Sequence, residues 1–162
     1  MLLDQLVTNL NQQIKTHEIL LDALIKETAL PATCSLPLLE DIQTMRDNAV
    51  NHIKKLEAKR IQILKEYCFE TNIAETVSLK DVISSCNETY ATTLVTQRDT
   101  LKELIRRIAD SGKQNAVRAS ARIACFNEIQ GAVSKALKRS TTYSMNGALY
   151  KPKGACLMQR SV

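Results

Sequence analysis

The sequence predicts an all-α protein: an elongated antiparallel helical bundle or coiled coil of three long helices, with a mobile C-terminal tail. Two observations predict this class. Apolar residues recur at steps of three and four over long stretches, which is the period of an α-helix. The chain also has only 4 Gly, 3 Pro and 4% aromatic residues, which disfavours a turn-rich β-sandwich. We expect one helical domain over residues 1–139, in which a third helix over about 79–138 projects, and a flexible tail over 140–162.

The first predicted helix extends from about Leu2 to Thr28. Its seam alternates steps of four and three for nearly four heptads, which is typical of coiled-coil packing. The seam consists of Leu3, Val7, Leu10, Ile14, His17, Leu21, Leu24 and Thr28. We interpret His17 as a core or rim histidine bonded to a neighbour rather than as a pH switch or a ligand.

The second predicted helix follows an interruption between Leu30-Pro31 and Pro37. Proline cannot continue a helix and pushes the residue before it toward extended geometry. The helix then begins near Pro37, with Ser35 as its candidate N-cap. Its apolar stripe consists of Leu39, Ile42, Met45, Ala49, Ile53, Leu56, Ile63 and Tyr67. The segment 68–78 has no clear period and is predicted to be a loop.

One very long third helix, or two helices stacked end to end, is predicted from Leu79, with Ser78 as the N-cap and Asp81 near the positive end of the helix dipole. Apolar or small residues recur from there to Leu137, over 59 residues and roughly 90 Å. We favour one continuous helix over a hinge at Gly112, since an interior glycine only weakens a helix. Because the two shorter helices cannot cover such a length, we expect an uncovered apolar face over residues 115–137.

Charge is distributed unevenly along the chain. Residues 1–111 carry 13 Lys and Arg against 16 Asp and Glu, a net of −3, and residues 112–162 carry 9 against the single acid Glu128, a net of +8. A basic end is compatible with nucleic acid, acidic lipid or an acidic protein. We expect no nucleic-acid partner, because helix-turn-helix punctuation and zinc-ligand spacing are missing and few aromatics are available for base stacking.

No pattern in the sequence is typical of an active site. A Gly-rich phosphate loop, a Glu-x-x-His pair and a tetrahedral zinc set are all missing, so we expect no catalytic residue, no metal and no cofactor. Five scattered cysteines favour free thiols in a reducing cytosol; they are Cys34, Cys68, Cys86, Cys125 and Cys156. Because the chain has neither a signal peptide's basic region nor a long apolar run, we expect a soluble cytoplasmic protein without stable membrane insertion.

Four segments occur in an order typical of one known family. Residues 18–30 (EILLDALIKETAL) lie in the first helix and residues 55–64 (KLEAKRIQIL) in the second. Asn115 lies in the middle of the third helix, and residues 142–147 (TYSMNG) follow it as a Thr-Tyr-x-x-x-Gly motif. Over residues 15–150, this order resembles the FlgN-type flagellar export chaperones. The five cysteines, and Met145-Asn146 where the family commonly has an acidic residue, depart from that pattern.

The resemblance implies a cytosolic chaperone of flagellar type III secretion. Such a chaperone binds the C-terminal amphipathic helices of hook–filament junction (hook-associated) proteins, prevents premature assembly and delivers them to the cytoplasmic domain of the export-gate receptor. The predicted anchors for the junction protein's helix, in a helix-in-groove contact, are Ile123, Phe126, Ile129, Val133 and Leu137. The resemblance also implies export-gate docking through Tyr143 and Gly147.

Alternatives remain open at this stage. The same anchors are compatible with packing within the chain or across a homodimer, which would make the protein a structural coiled coil or adaptor without client delivery. Tyr143 is also compatible with folding back onto its own helix. Lys135, Lys138 and Arg139 are candidates for steering an acidic partner, although a solvated helix face accounts for them as well.

Overall fold

The computed structural model describes residues 1–31, 34–71, 78–139, 142–143 and 149–150, the side chains of residues 137–139 and of the strand residues excepted. Its elements are the helices α1 (Leu2–Ala29), α2 (Leu36–Thr71), α3 (Leu79–Ser85) and α4 (Glu88–Arg139) and the strands β1 (Thr142–Tyr143) and β2 (Leu149–Tyr150). The two short strands pair antiparallel, with Thr142 opposite Tyr150. The protein is all-α in class, as predicted.

The predicted third helix is in fact two helices, α3 and α4. Cys86 ends α3 in an extended conformation, with φ −91° and ψ 169°. The side chain of Asn87 then caps α4, because its Oδ1 accepts a hydrogen bond from the backbone N–H of Tyr90 at 3.1 Å. The expected count of three long helices is therefore not exact, because the structure has two helices where the sequence allowed either one or two. Beyond the break, α4 continues through Gly112 to Arg139.

The predicted helix start at Ser78 is confirmed. The Ser78 side chain accepts a hydrogen bond from the N–H of Asp81, and the Asp81 carboxylate accepts one from the N–H of Ser78 at 2.9 Å. This reciprocal capping box satisfies two amides that have no partner inside the helix. The start of α2 is also close to the prediction, with Pro37 in the first turn. At its other end α2 extends to Thr71, into the predicted loop, and residues 72–77 lie outside the described residues.

Residue packing divides the chain into two units, Met1–Val117 and Arg118–Val162. The first unit contains α1, α2, α3 and the beginning of α4. The second contains the remainder of α4 and the strand pair. The expected boundary of the helical domain near residue 139 stays a prediction, since most of the predicted tail lies outside the described residues.

In the first unit, α1 runs antiparallel to α2. Asn9, near the beginning of α1, donates a hydrogen bond from Nδ2 to the carbonyl of Leu56 at 3.1 Å. Glu27, near the end of α1, pairs with Arg46 at 3.3 Å. Residues later in α1 therefore contact residues earlier in α2, which defines an antiparallel pair.

The beginning of α4 runs parallel to α1. Gln97 donates from Nε2 to the carbonyl of Val7 at 3.1 Å, and Asn115 donates from Nδ2 to the carbonyl of Leu24 at 3.1 Å. Contacts with both neighbours explain why α1 buries more than the single predicted seam. Six of its residues outside that seam are also buried: Leu6, Asn9, Gln13, Thr16, Leu20 and Ala23.

Two apolar clusters form the core of the first unit. The buried members of the larger cluster are Leu6, Leu10, Ile63, Leu64, Val82, Leu94 and Leu101. The smaller cluster consists of Leu20, Leu24 and Ala49, against which Val50, Ile53 and Ile108 pack. All four helices contribute to the larger cluster, because the seven-residue α3 buries Val82 completely. Burial of a side chain of this size stabilises the fold by about 1.5–3 kcal/mol.

Candidate protein-binding face on helix α4

An exposed stretch of α4 begins directly after a polar anchor. Asn115, partly buried, donates from Nδ2 to the Leu24 carbonyl at 3.1 Å and to the Glu27 carboxylate at 3.3 Å. Its Oδ1 accepts a hydrogen bond from the hydroxyl of Thr28. Asn115 therefore uses both ends of its amide to hold α4 against the end of α1.

From Ala116 to Ala136, every residue of α4 is exposed. Four large apolar side chains in this stretch share one side of the helix, because they follow one another at steps of three, three and four. Their exposed fractions are 62% for Ile123, 63% for Phe126, 58% for Ile129 and 49% for Val133. We call these four residues the α4 stripe. It extends for about 15 Å along the helix.

The α4 stripe is the surface expected for a protein partner rather than for a small molecule. Single exposed apolar residues are common on protein surfaces, but an unbroken row of them is typical of an interaction site. The row is a convex helix face, whereas small-molecule sites are concave. Leu137, the fifth predicted anchor, lies in α4, but its side chain is outside the described residues.

A cleft of about 380 Å³ lies within the first unit. It is lined by Leu10, Gln13, His17, Ile53, Glu57, Arg60, Leu79, Arg98, Leu101, Lys102 and Ile105. Two of its charged groups pair with each other, since Arg60 donates from Nη2 to Glu57 Oε1 at 2.6 Å. These hydrogen bonds lower the pKa of Glu57 and raise that of Arg60. This ion pair lies within α2 and has a structural explanation as an i,i+3 pair on one helix.

His17 lies at the wall of this cleft and is 8% exposed. Its Nδ1 is 2.7 Å from the carbonyl oxygen of Gln13, which as an acceptor requires the proton to be on Nδ1. The interpretation of His17 as a core histidine bonded to a neighbour is confirmed.

Other kinds of site receive no support from the part of the chain that the structure describes. Among those residues, no group of three His, Cys, Asp or Glu side chains is placed to hold a metal ion. Cys34, Cys68, Cys86 and Cys125 are free thiols, and Cys156 lies outside the described residues. No described helix combines the length and the apolar character that crossing a membrane requires.

The family model of the FlgN protein matches residues 1–151. The chain belongs to the FlgN family. The match includes all four helices and both described strands. No curated protein and no solved structure is found to match the chain. Membership implies a role as a flagellar export chaperone that binds flagellar proteins.

The structure describes some of the remaining predicted residues of this FlgN-family chain and leaves others outside the described residues. Tyr143 lies in β1 opposite Leu149, but its side chain is outside the described residues, and so is Gly147 entirely. Lys135 is exposed, whereas the side chains of Lys138 and Arg139 are not described. Docking through Tyr143 and Gly147 stays a prediction.

Sequence reasoning missed the polar residues that position this FlgN-family fold. Asn9 and Gln13 are buried between the helices, and Gln13 donates to Asn9 Oδ1 at 3.0 Å. A usable signal was present, because two amides four residues apart lie on the same side of a helix as Leu6 and Leu10. The contact between Asn115 and Thr28 had no signal in the sequence, since it joins residues 87 positions apart.

Proposed function

We propose that this FlgN-family protein is a cytoplasmic export chaperone for hook–filament junction (hook-associated) proteins. The α4 stripe binds their C-terminal amphipathic helices, prevents premature assembly, and carries them to the cytoplasmic domain of the flagellar export-gate receptor. The observation that supports this proposal is the exposure of Ile123, Phe126, Ile129 and Val133 along one side of α4.

The chemistry of the two faces is complementary. A junction protein's terminal helix has an apolar side that meets water until the protein assembles. Two amphipathic helices that pack against each other remove both apolar sides from water. The contacting side chains then follow one another at steps of three and four residues. Burying the exposed part of each anchor contributes about 1–2 kcal/mol, and the costs of association offset part of this.

Phe126 is expected to be the principal anchor, because it has the largest side chain of the stripe and aromatic residues are enriched among binding hot spots. Phe126→Ala should weaken binding of a junction protein's C-terminal helix by about tenfold or more. Isothermal titration calorimetry with the full chain and the synthetic helix measures this loss.

Val117→Ala is a matched control for that measurement. Val117 is 69% exposed and also lies on α4, but it precedes Phe126 by nine residues, or two and a half turns, and so occupies the opposite side. Its substitution should change the affinity less than about twofold. Failure of every junction helix to bind, or an equal loss in both variants, would contradict the assignment of the stripe.

We further propose that Tyr143 and Gly147 dock the loaded chaperone on the export gate. The family match supports this, since it extends to residue 151 and includes the motif. Tyr143→Ala should leave junction-helix binding unchanged and weaken capture by the gate receptor's cytoplasmic domain.

The competing function is that of a structural coiled coil, which sedimentation equilibrium tests. A tight homodimer that buries Phe126 and excludes the junction helix would assign the stripe to self-association.

A further inference from the structure

The surroundings of the α4 stripe carry information on what kind of helix it binds. Residues 112–162 have nine Lys and Arg and only one acid, Glu128. An exposed helix in such a segment has a positive potential, which favours an acidic partner and increases its association rate. Net charge alone does not say where on a partner the acids lie.

The position of the cations on α4 supplies that detail. Arg122 precedes Phe126 by four residues and Ile129 by seven, so it lies along the same side of the helix. Arg118 precedes Arg122 by one turn and continues in the same direction along the helix. One edge of the stripe is uncharged and consists of Asn127, Gln130 and Ser134. Positive charge next to the stripe is therefore concentrated at the end that begins with Ile123.

The opposite side of α4 has a different character. Lys135 follows Phe126 by nine residues, so it points away from the stripe, and Glu128 lies on the same opposite side. Their neighbours there are small residues such as Ala124 and Gly131. Lys135 thus adds to the net charge of the segment without lying at the apolar face.

We propose that the client helix carries acidic residues beside one end of its apolar face, where they pair with Arg118 and Arg122. This inference rests on the proposed function and adds the chemistry and the register of the client. It does not require either arginine to lack other contacts, since one acid cannot neutralise nine cations in the segment.

An acidic protein helix accounts for the whole surface better than other polyanions do. A nucleic acid would contact the arginines and leave the aliphatic residues Ile123 and Ile129 in water. Helices that bind anionic membranes carry Lys and Arg across the polar side, whereas here that side combines Lys135 with the acid Glu128 and small residues. An amphipathic helix with acids at one end of its apolar face covers the stripe and its charged end together.

Three synthetic helical peptides test the inference. They share one apolar pattern and differ at the positions flanking one end of it, which carry Glu, Lys or Gln. Fluorescence anisotropy with the full chain should show the Glu peptide binding about tenfold more tightly than the Lys peptide. The difference should shrink as salt is raised from about 0.05 to 0.5 M, because exposed charges are screened.

Arg122→Glu and Lys135→Glu form a matched pair, because each changes the net charge by the same amount. Arg122→Glu should weaken the Glu peptide about tenfold and strengthen the Lys peptide. Lys135→Glu should change either affinity less than about threefold, since it lies on the opposite side. The gain for the Lys peptide cannot come from a loss of folding, which keeps the test informative.

Several outcomes would overturn the inference. Equal effects of the two substitutions would mean that only overall charge matters, and equal affinities of the three peptides would mean that charge does not matter. Comparable binding of a 20-nucleotide single strand, or of vesicles with 30% anionic lipid, would point to general polyanion binding. If a junction helix still binds in a Phe126-dependent manner, the inference fails while the proposed function stands; if nothing binds the stripe, both fail.

Discussion

Buried amides determine how α1 and α2 meet. Asn9 is 2% exposed; it donates to the carbonyl of Leu56 and accepts from Gln13. Burying an amide without a partner costs about 1–3 kcal/mol. Sliding one helix along the other by a turn would separate Asn9 from Leu56, so the register that keeps this pairing is favoured over its alternatives.

The carboxylate of Glu57 on α2 makes the stability of the fold sensitive to acid. Hydrogen bonds from Arg60 are the main cause of its lowered pKa. A lowered carboxyl pKa stabilises the folded state at pH values above the unfolded pKa, and this contribution is lost as the pH falls through the folded-state value. Glu57 is partly exposed, so solvent screening limits the contribution to about 1 kcal/mol or less.

We therefore expect Glu57→Gln to lower the free energy of unfolding at pH 7 by up to about 1 kcal/mol. The difference from the natural chain should shrink as the pH falls through the lowered folded-state pKa of Glu57. Urea unfolding over a series of acidic pH values measures it. Glu66→Gln is the control, since this exposed carboxylate on the same helix accepts a hydrogen bond from the amide of Gln62 rather than from an arginine. A difference that does not shrink as the pH falls would indicate a loss of packing instead.

At the scale of the elements, α3 depends on its cap. A helix of seven residues has few internal hydrogen bonds, and its capping box satisfies amides that would otherwise be free. Ser78→Ala should lower the free energy of unfolding by about 1 kcal/mol. Ser84→Ala removes a hydroxyl that bonds the Lys80 carbonyl within the helix, and should change it by less than about 0.5 kcal/mol. Thermal unfolding compares the two; equal effects would leave the cap without a special role.

Helix ends were predictable from the sequence where a side chain marks them, as Pro37 and Ser78 do. The break before α4 was not, because Ile83, Cys86 and Tyr90 keep their steps of three and four across it. Periodicity reports which residues share a side and is insensitive to an interruption that preserves the spacing. Asn87, a favoured N-cap residue, was the one local signal.

The same periodicity predicted Ile123, Phe126, Ile129 and Val133 as one apolar row, and the structure finds them exposed. Covering the row requires a partner's side chains, which no pattern within one chain contains. Its partner therefore stays a proposal.

At the scale of the whole molecule, stability and binding are expected to depend on different residues. Leu94 is fully buried in the larger core cluster, so Leu94→Ala should lower the free energy of unfolding by about 2–5 kcal/mol. Phe126→Ala should change it by less than about 0.5 kcal/mol, because the ring already meets water. Urea unfolding followed by far-UV circular dichroism measures both.

A large destabilisation by Phe126→Ala would mean that the ring packs within the chain. In that case the α4 stripe would not be available to a client. The weaker binding of the Phe126→Ala variant would then reflect a loss of folding.

The stretch from Ala116 to Ala136 has a consequence for how such chains diverge. Six of its residues are alanine, the residue with the highest intrinsic helix propensity. Side chains that are exposed to water do not have to fit against neighbouring side chains. At such positions, residues that favour a helix can therefore replace one another. Evolution must preserve the helical spacing of the apolar residues on one side, so relatives can differ widely in sequence while keeping the same binding face.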